Sequence, residues 1–176
     1  MVKLVWRLLR CSKLSSLSSH AIPKKQRLAL NNILERVERV WNDARAVRDI
    51  PRRTDIDPIQ LGSALPHITL LDVVPGDPID FRYRILGQQL IKGYGFDLTG
   101  HQHRAVADKS MMAWPFYDVY VACVTSKQSQ PVEIRTRNRL QLPVHVKGTV
   151  WPLSEDGVAI TGLLGAAMYF VPLEVV

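Results

Sequence analysis

The sequence predicts an α+β fold: a five-stranded antiparallel sheet with short helices on one face, preceded by an amphipathic helix. Three observations carry this expectation. Apolar residues recur at helical spacing between Leu28 and Val47. Five extended segments then stand in two blocks, "HITLLDVV" and "FRYRILG" in the first, "PVEIRTR", "LPVHVKGTVWPL" and "GVAITGLLGAAMYF" in the second. Between the blocks there is room only for short helices and one longer one, "MMAWPFYDVYVACVTSKQ", and no parallel crossover is evident.

Length and charge bound the rest. A chain of 176 residues with 47% hydrophobic content suffices for one packed domain plus an extension. Its net charge of +7 is unevenly placed. Lys3, Arg7, Arg10, Lys13, Lys24, Lys25 and Arg27 all precede the first acidic residue, Glu35, and from there on the two signs balance at 16 each. The basic character therefore belongs to the leader, and no nucleic-acid partner is expected of the body. Two cysteines, Cys11 and Cys123, argue against a disulfide framework and for a reducing, cytoplasmic setting. No apolar run approaches the roughly 18 residues that a membrane-spanning helix needs.

Residues 1–26 read as a basic, flexible leader. At about 100° per residue, Lys3, Arg7, Arg10 and Lys13 gather within roughly a third of the helical circumference. Val2, Leu4, Val5, Leu8 and Leu9 take the opposite side. Such a segment, residues 2–13, can lie on an anionic membrane surface, peripheral to the inner membrane; its Ser-rich, acid-free composition also suits a targeting peptide. Pro23 closes it.

Residues 27–48 form the amphipathic helix. Leu30, Ile33, Leu34, Val37, Val40, Trp41, Ala44 and Val47 recur at spacings of three and four, with Glu35, Arg36, Glu38, Arg39 and Asp43 between them. Leu30, Leu34, Val37, Trp41 and Ala44 also alternate by four and three, as a helical seam does, so this stripe is a candidate homodimer contact as well as a core face.

Residues 49–176 form the domain proper. Asp57 before Pro58 is an N-cap with proline at the first helical position, predicting a short helix from Pro58 to Ala64 that Pro66 ends. "HITLLDVV" is dense in β-branched and aliphatic residues, and "PGDPID" is turn chemistry leading into the next strand, so the two make an antiparallel pair. In that strand Phe81, Tyr83 and Ile85 alternate against Arg82 and Arg84. Barely one helical turn fits at "QQLIKG". The longer helix at residues 111–128 tolerates Pro115 only in its first turn. Arg135, Arg137 and Arg139 share one strand face, expected to be solvated or paired with acids of the amphipathic helix.

Glycines straight after a strand often cradle phosphate, and "LGQQLIKGYGFDLTG" carries four of them. A phosphate loop needs Gly-Lys-Ser/Thr; here Lys92 precedes Gly93 and Tyr94 takes the place of the hydroxyl residue. The dinucleotide fingerprint fails at Leu98, where its third glycine is required. These glycines instead suit positive φ angles in a tightly turning segment.

Taken as a series, "RRTDIDP", "LPHITLLDVV", "FRYRILGQQLIKGYGFDLTG", "QPVEIRT" and "WPLSEDG" resemble a family of PAS-like proteins common in alphaproteobacteria. The resemblance covers about Val40 to Phe170. It implies a PAS-like five-stranded sheet and a small sensory or regulatory module, often standing alone. It also implies a ligand pocket between the sheet and the helices. Cavity candidates are Phe116, Tyr117, Tyr120 and Val124 on the longer helix, with Tyr94 and Phe96 above them; the alternative is that they only fill a core.

Catalytic and cofactor signals are weak. His101 and His103 form an H-x-H pair without a second close pair of ligands, so they read as solvated loop histidines and no metal site is expected. His67 and His145 fall in predicted strands and read as packing or hydrogen-bonding residues. Cys123 reads as a buried small apolar residue. It lacks the Asn-Cys-Arg-Phe context of flavin-binding photosensor PAS domains, and the longer helix lacks the histidine usual in haem-binding ones, so both cofactors are disfavoured. No nucleophile–base pair is present, and no enzyme is expected. Two functional readings follow: a PAS module that signals by binding a small ligand or a protein through its N-terminal helix, and a scaffold held at a membrane surface by its leader.

Overall fold

The computed structural model of the chain describes residues 22–46, 48–109, 113–138 and 140–171. Helix α1 spans Lys24–Arg45, α2 Pro58–Leu61, α3 Gln88–Tyr94, α4 His103–Lys109 and α5 Trp114–Ser126. The strands are β1 Ile68–Val74, β2 Asp80–Leu86, β3 Gln130–Arg137, β4 Pro143–Leu153 and β5 Gly162–Phe170. They form one sheet in the order β2-β1-β5-β4-β3, antiparallel at every pairing. The five expected strands close into the single sheet the sequence predicts.

Period 2 along each strand sends alternate side chains to opposite faces, and the two faces are covered differently. On one, Leu71, Phe81, Tyr83, Val132, Ile134, Val144, Val146, Val150 and Leu163 pack with Tyr94, Leu98, Tyr120 and Cys123 of the segment between the strand blocks. On the other, Ile68, Leu70, Trp151, Leu153, Leu164 and Ala166 meet Ile33, Val37, Val40 and Trp41 of α1. The short helices thus share a face, and α1 backs the sheet from behind. The Trp41 indole Nε1 donates to the Pro152 carbonyl at 2.9 Å, tying α1 to the end of β4.

This placement uses up most of the proposed dimer seam. Leu30, Val37 and Trp41 are buried in the protein's own core, Val37 completely. Leu34 packs partly against the same cluster, and Ala44 is half-buried. The stripe is intramolecular because its apolar period matches the outward residues of β1, β4 and β5. Val47 and residues 1–21, including the basic leader segment, lie outside the described residues.

Several local expectations shift. Asp57 caps α2 as predicted, its Oδ1 accepting from the Ile59 amide at 2.8 Å. The chain then tightens into a 3-10 turn over Gly62–His67, so His67 precedes β1 and is not part of it; its Nδ1 is buried without a partner. In β2 the register slips opposite Leu70 and Leu71, which pair with Ile85 and Tyr83. Arg84 is the extra residue, a bulge that turns the strand over. Phe81 and Tyr83 therefore face inward while Ile85 is 51% exposed, against the simple alternation. Arg135 and Arg137 are exposed on the edge strand β3. Arg137 donates to the Gln141 carbonyl at 2.7 Å and pairs with no acid of α1; Arg139 lies outside the described residues.

Candidate functional site

A cavity of about 50 Å³ lies between the sheet and the short helices. Its floor is the inward face of the sheet, with Thr69, Val132, Val146, Val150, Gly165 and Ala167; its roof is Leu90, Tyr94, Leu98, Phe116 and Tyr120. Tyr83 and Tyr169 close the sides. The space exists because β5 supplies small residues, Gly165 and Ala167, at two successive inward positions before Tyr169.

The roof is set by backbone chemistry. α3 runs Gln88–Tyr94, nearly two turns, longer than the sequence expects. Gly95 ends it at φ 92°, a left-handed conformation that favours glycine, with its amide bonded to the Ile91 carbonyl at 2.7 Å. Gly93 serves a different purpose from the positive φ expected of it. It sits within α3, and a Cβ there would collide with the Tyr169 ring. The close approach of helix and strand is what brings Tyr94 and Tyr169 together.

Four tyrosines meet here, Tyr83, Tyr94, Tyr120 and Tyr169, each felt electrostatically by its neighbours. Beside them lies His103, which the sequence reading placed in a solvated loop. It opens α4 and is completely buried. Its Nε2 lies 3.0 Å from the Ala113 carbonyl, which can only accept, so Nε2 carries the proton and Nδ1 is left as an acceptor. The Tyr83 hydroxyl, 2.8 Å away, therefore donates to Nδ1. Burial holds His103 neutral, its pKa lowered to about 4. Burial also pushes the Tyr120 phenol up to about 12 and the Tyr83 and Tyr169 phenols well above their ordinary value. Tyr83, Tyr120, Tyr169 and His103 are thus polar and uncharged.

The predicted site residues divide. Tyr94, Phe116 and Tyr120 line the cavity. Phe96 does not: it is 40% exposed and its ring lies 5.7 Å from that of His101, because the chain has already turned away after Gly95. Val124 packs against the same core but beyond the cavity wall. Tyr117 also lies outside the lining; its hydroxyl donates to the Ile79 carbonyl at 2.7 Å and its ring meets Phe81 edge-on at 5.8 Å. Tyr83, Tyr169 and His103 were missed. The strand alternation carried a signal for Tyr83; Tyr169 and His103 depend on contacts far apart in sequence.

A family model described as a PAS domain matches residues 30–166, most of the chain. The chain belongs to the PAS domain family. No curated protein matches it. Among solved structures, the chain resembles a LOV protein of Rhodobacter sphaeroides at 13% identity and TM-score 0.47, covering 80% of this chain and 68% of that one. An RNA-binding light-oxygen-voltage receptor matches at 13% identity and TM-score 0.46, over 86% of this PAS protein but 34% of the receptor. The LOV domain of the blue-light photoreceptor Aureochrome1 matches at 12% and 0.45, over 64% and 86%. No helix among the described residues is long and apolar enough to cross a membrane.

The PAS cavity can be tested against the cofactors the sequence disfavoured. A space of about 50 Å³ is far below the roughly 300–1,000 Å³ of pockets that hold drug-sized or larger ligands, so in this conformation the cavity is too small for a flavin or a haem. Cys123 is buried and outside the lining, its Sγ directed at the Val150 carbonyl at 3.7 Å. Burial raises its thiol to about 12, away from the thiolate that reactive cysteines need. His103 has both ring nitrogens engaged, so neither is free for iron. Groups of three or more metal-ligating side chains are absent among the described residues.

Proposed function

We propose that this PAS protein is a sensory or regulatory module whose core cavity takes a small ligand and whose output runs through α1. The single observation behind the reading is that one layer of sheet separates the cavity from the helix. Val150 faces the cavity while its neighbour Trp151 packs on the α1 side; Gly165 and Leu164 divide in the same way. A ligand that spreads or tightens β4 and β5 would change the seat of Trp41 and Val37. Such a shift requires the ligand to bind one packing of α1 better than the other.

Homodimerisation belongs to the same proposal. The buried part of the α1 stripe is committed to the sheet, so a second copy would meet the remainder, where Leu28 is 59% exposed and Leu34 and Ala44 are partly open. Native mass spectrometry of the purified full chain tests both halves at once. The expected result is a dimer carrying a small molecule lost on denaturation. A bare monomer would sink the dimer and the retained ligand together.

The membrane-surface reading is supported only by the cationic pattern of residues 2–13. Its test is liposome co-sedimentation of the full chain against one starting at Leu28. Equal sedimentation would end it.

A further inference from the structure

Taking the cavity as a ligand site, we propose that its occupant is a small uncharged molecule bearing a hydroxyl, carbonyl or amide group, and that ionised analogues of the same size are excluded. The inference rests on which side chains line the space. Among the described residues no Lys, Arg, Asp, Glu or His lines it, and its polar lining residues are four tyrosines and two threonines, Thr69 and Thr149. The Thr69 hydroxyl is already bonded to the Ile85 carbonyl, and the Tyr83 proton is committed to His103. Tyr120 shares a hydrogen bond with Tyr83, and Thr149 alternates with Val150 onto the strand face of Trp151. Tyr94 and Tyr169 remain to meet a ligand.

Phenols at such a site can donate or accept one hydrogen bond apiece, but they supply no countercharge. An ion entering would lose its hydration shell with nothing of opposite sign to replace it. Nor can the protein generate that charge readily. Burial holds Tyr83, Tyr120 and Tyr169 in their neutral form, and the nearest histidine is neutral with both nitrogens occupied. Asp80, the carboxylate whose charge His103 feels, is outside the lining and accepts from the amides of Phe81 and Arg104 at 2.7 and 3.1 Å. Its charge is satisfied where it stands.

Size narrows the class. The cavity holds about 50 Å³, a third of the roughly 150 Å³ of an engineered apolar cavity that takes benzene. The fitting molecules have about four non-hydrogen atoms: short alcohols, amides or ketones. The aliphatic floor of Val132, Val146 and Val150 would take the carbon end and the tyrosines the polar end.

Two isosteric pairs separate charge from shape: acetamide against acetate, and isopropanol against isopropylammonium. The measurement is an NMR titration of the full chain with ¹³C-labelled tyrosine rings. Acetamide and isopropanol should shift the ring resonances of Tyr94, Tyr120 and Tyr169 saturably, with each charged partner at least about ten-fold weaker. Ala167→Leu, which fills the floor, should abolish the shifts. Tyr169→Phe, which keeps the shape and removes one hydroxyl, should weaken acetamide severalfold and serves if the first variant does not fold. Charged probes binding as well as neutral ones would overturn the proposal while leaving a ligand site in place. Failure of all four probes would remove the ligand reading with it. Saturable shifts unaffected by either variant would place the binding elsewhere and overturn the proposal too.

Discussion

The two faces of this sheet are built on opposite terms. Behind it, α1 lays a regular stripe of Ile33, Val37, Val40 and Trp41 onto outward residues of β1, β4 and β5. Among the described residues, the one side-chain hydrogen bond these four make runs from the Trp41 indole to Pro152. In front, three helices cover the inward residues unevenly, leave a cavity, and bring Tyr83 and His103 into the interior in paired, neutral form. The back is closed by volume. The front is closed by volume and hydrogen bonds together, and so retains space and chemistry. On the function proposed above, a change in front would pass through the sheet to the helix behind.

The strongest way to break that comparison is at Trp41. Replacing a buried tryptophan with alanine removes its transfer free energy and leaves a cavity, typically about 3–5 kcal/mol, and here the bond to Pro152 goes with it. Trp41→Ala should lower the chemical-denaturation midpoint by an amount that corresponds to that loss. If it costs under about 1 kcal/mol, α1 is an appendage and not the back wall of the domain.

Next comes the pH response of the front. The unfolded chain binds a proton at His103 near the ordinary histidine pKa, 6.5, whereas the folded chain resists until about 4. The unfolded state therefore binds more protons between those values, so stability is fully present above pH 6.5 and falls as pH drops towards 4. The loss from this one group is on the order of 3 kcal/mol across the window. His67 and His145 are also lowered by burial and add in the same direction. Denaturation of His103→Gln should show a shallower pH slope between 6.5 and 4 than the parent. An unchanged slope would mean that His103 is not held neutral in the interior.

What could be read from the sequence follows the same divide. The back face was legible because a helix period and a strand period are local, and Leu30 to Trp41 show theirs in 12 residues. The strands were legible for the same reason. The front was only partly so. Tyr94, Phe116 and Tyr120 were found, but the bulge at Arg84 turned Ile85 outward. His103 became a core residue through a bond to Ala113, ten positions along the chain. A histidine after Thr99-Gly100 carries no local mark of burial. Its partners Tyr83 and Ala113 are joined to it only by the fold.

A smaller effect sharpens the front. Tyr83→Phe keeps the ring and removes the hydroxyl that satisfies His103 Nδ1. An unsatisfied buried acceptor costs about 1–3 kcal/mol. The loss should be much smaller in the His103→Gln background, where that acceptor is gone. A double-mutant cycle measures the coupling, and additive losses would show that the pair is not formed.

The smallest expected effect lies on the outer face of β3 and β4. There the Glu133 carboxylate stands 3.0 Å from Lys147 Nζ and 3.3 Å from His145 Nε2, with its own side chain 60% exposed. The Lys147 ammonium is the main reason its pKa is lowered. Water screens so open a pair, and exposed ion pairs contribute about 0–1 kcal/mol, less in salt. Glu133→Gln should therefore shift stability by under about 0.5 kcal/mol, and the difference should vanish in 1 M sodium chloride, where the screening length is about 3 Å. A loss that is large and independent of salt would make this outer surface a structural partner of α1, and the sheet would then have no face that depends on packing alone.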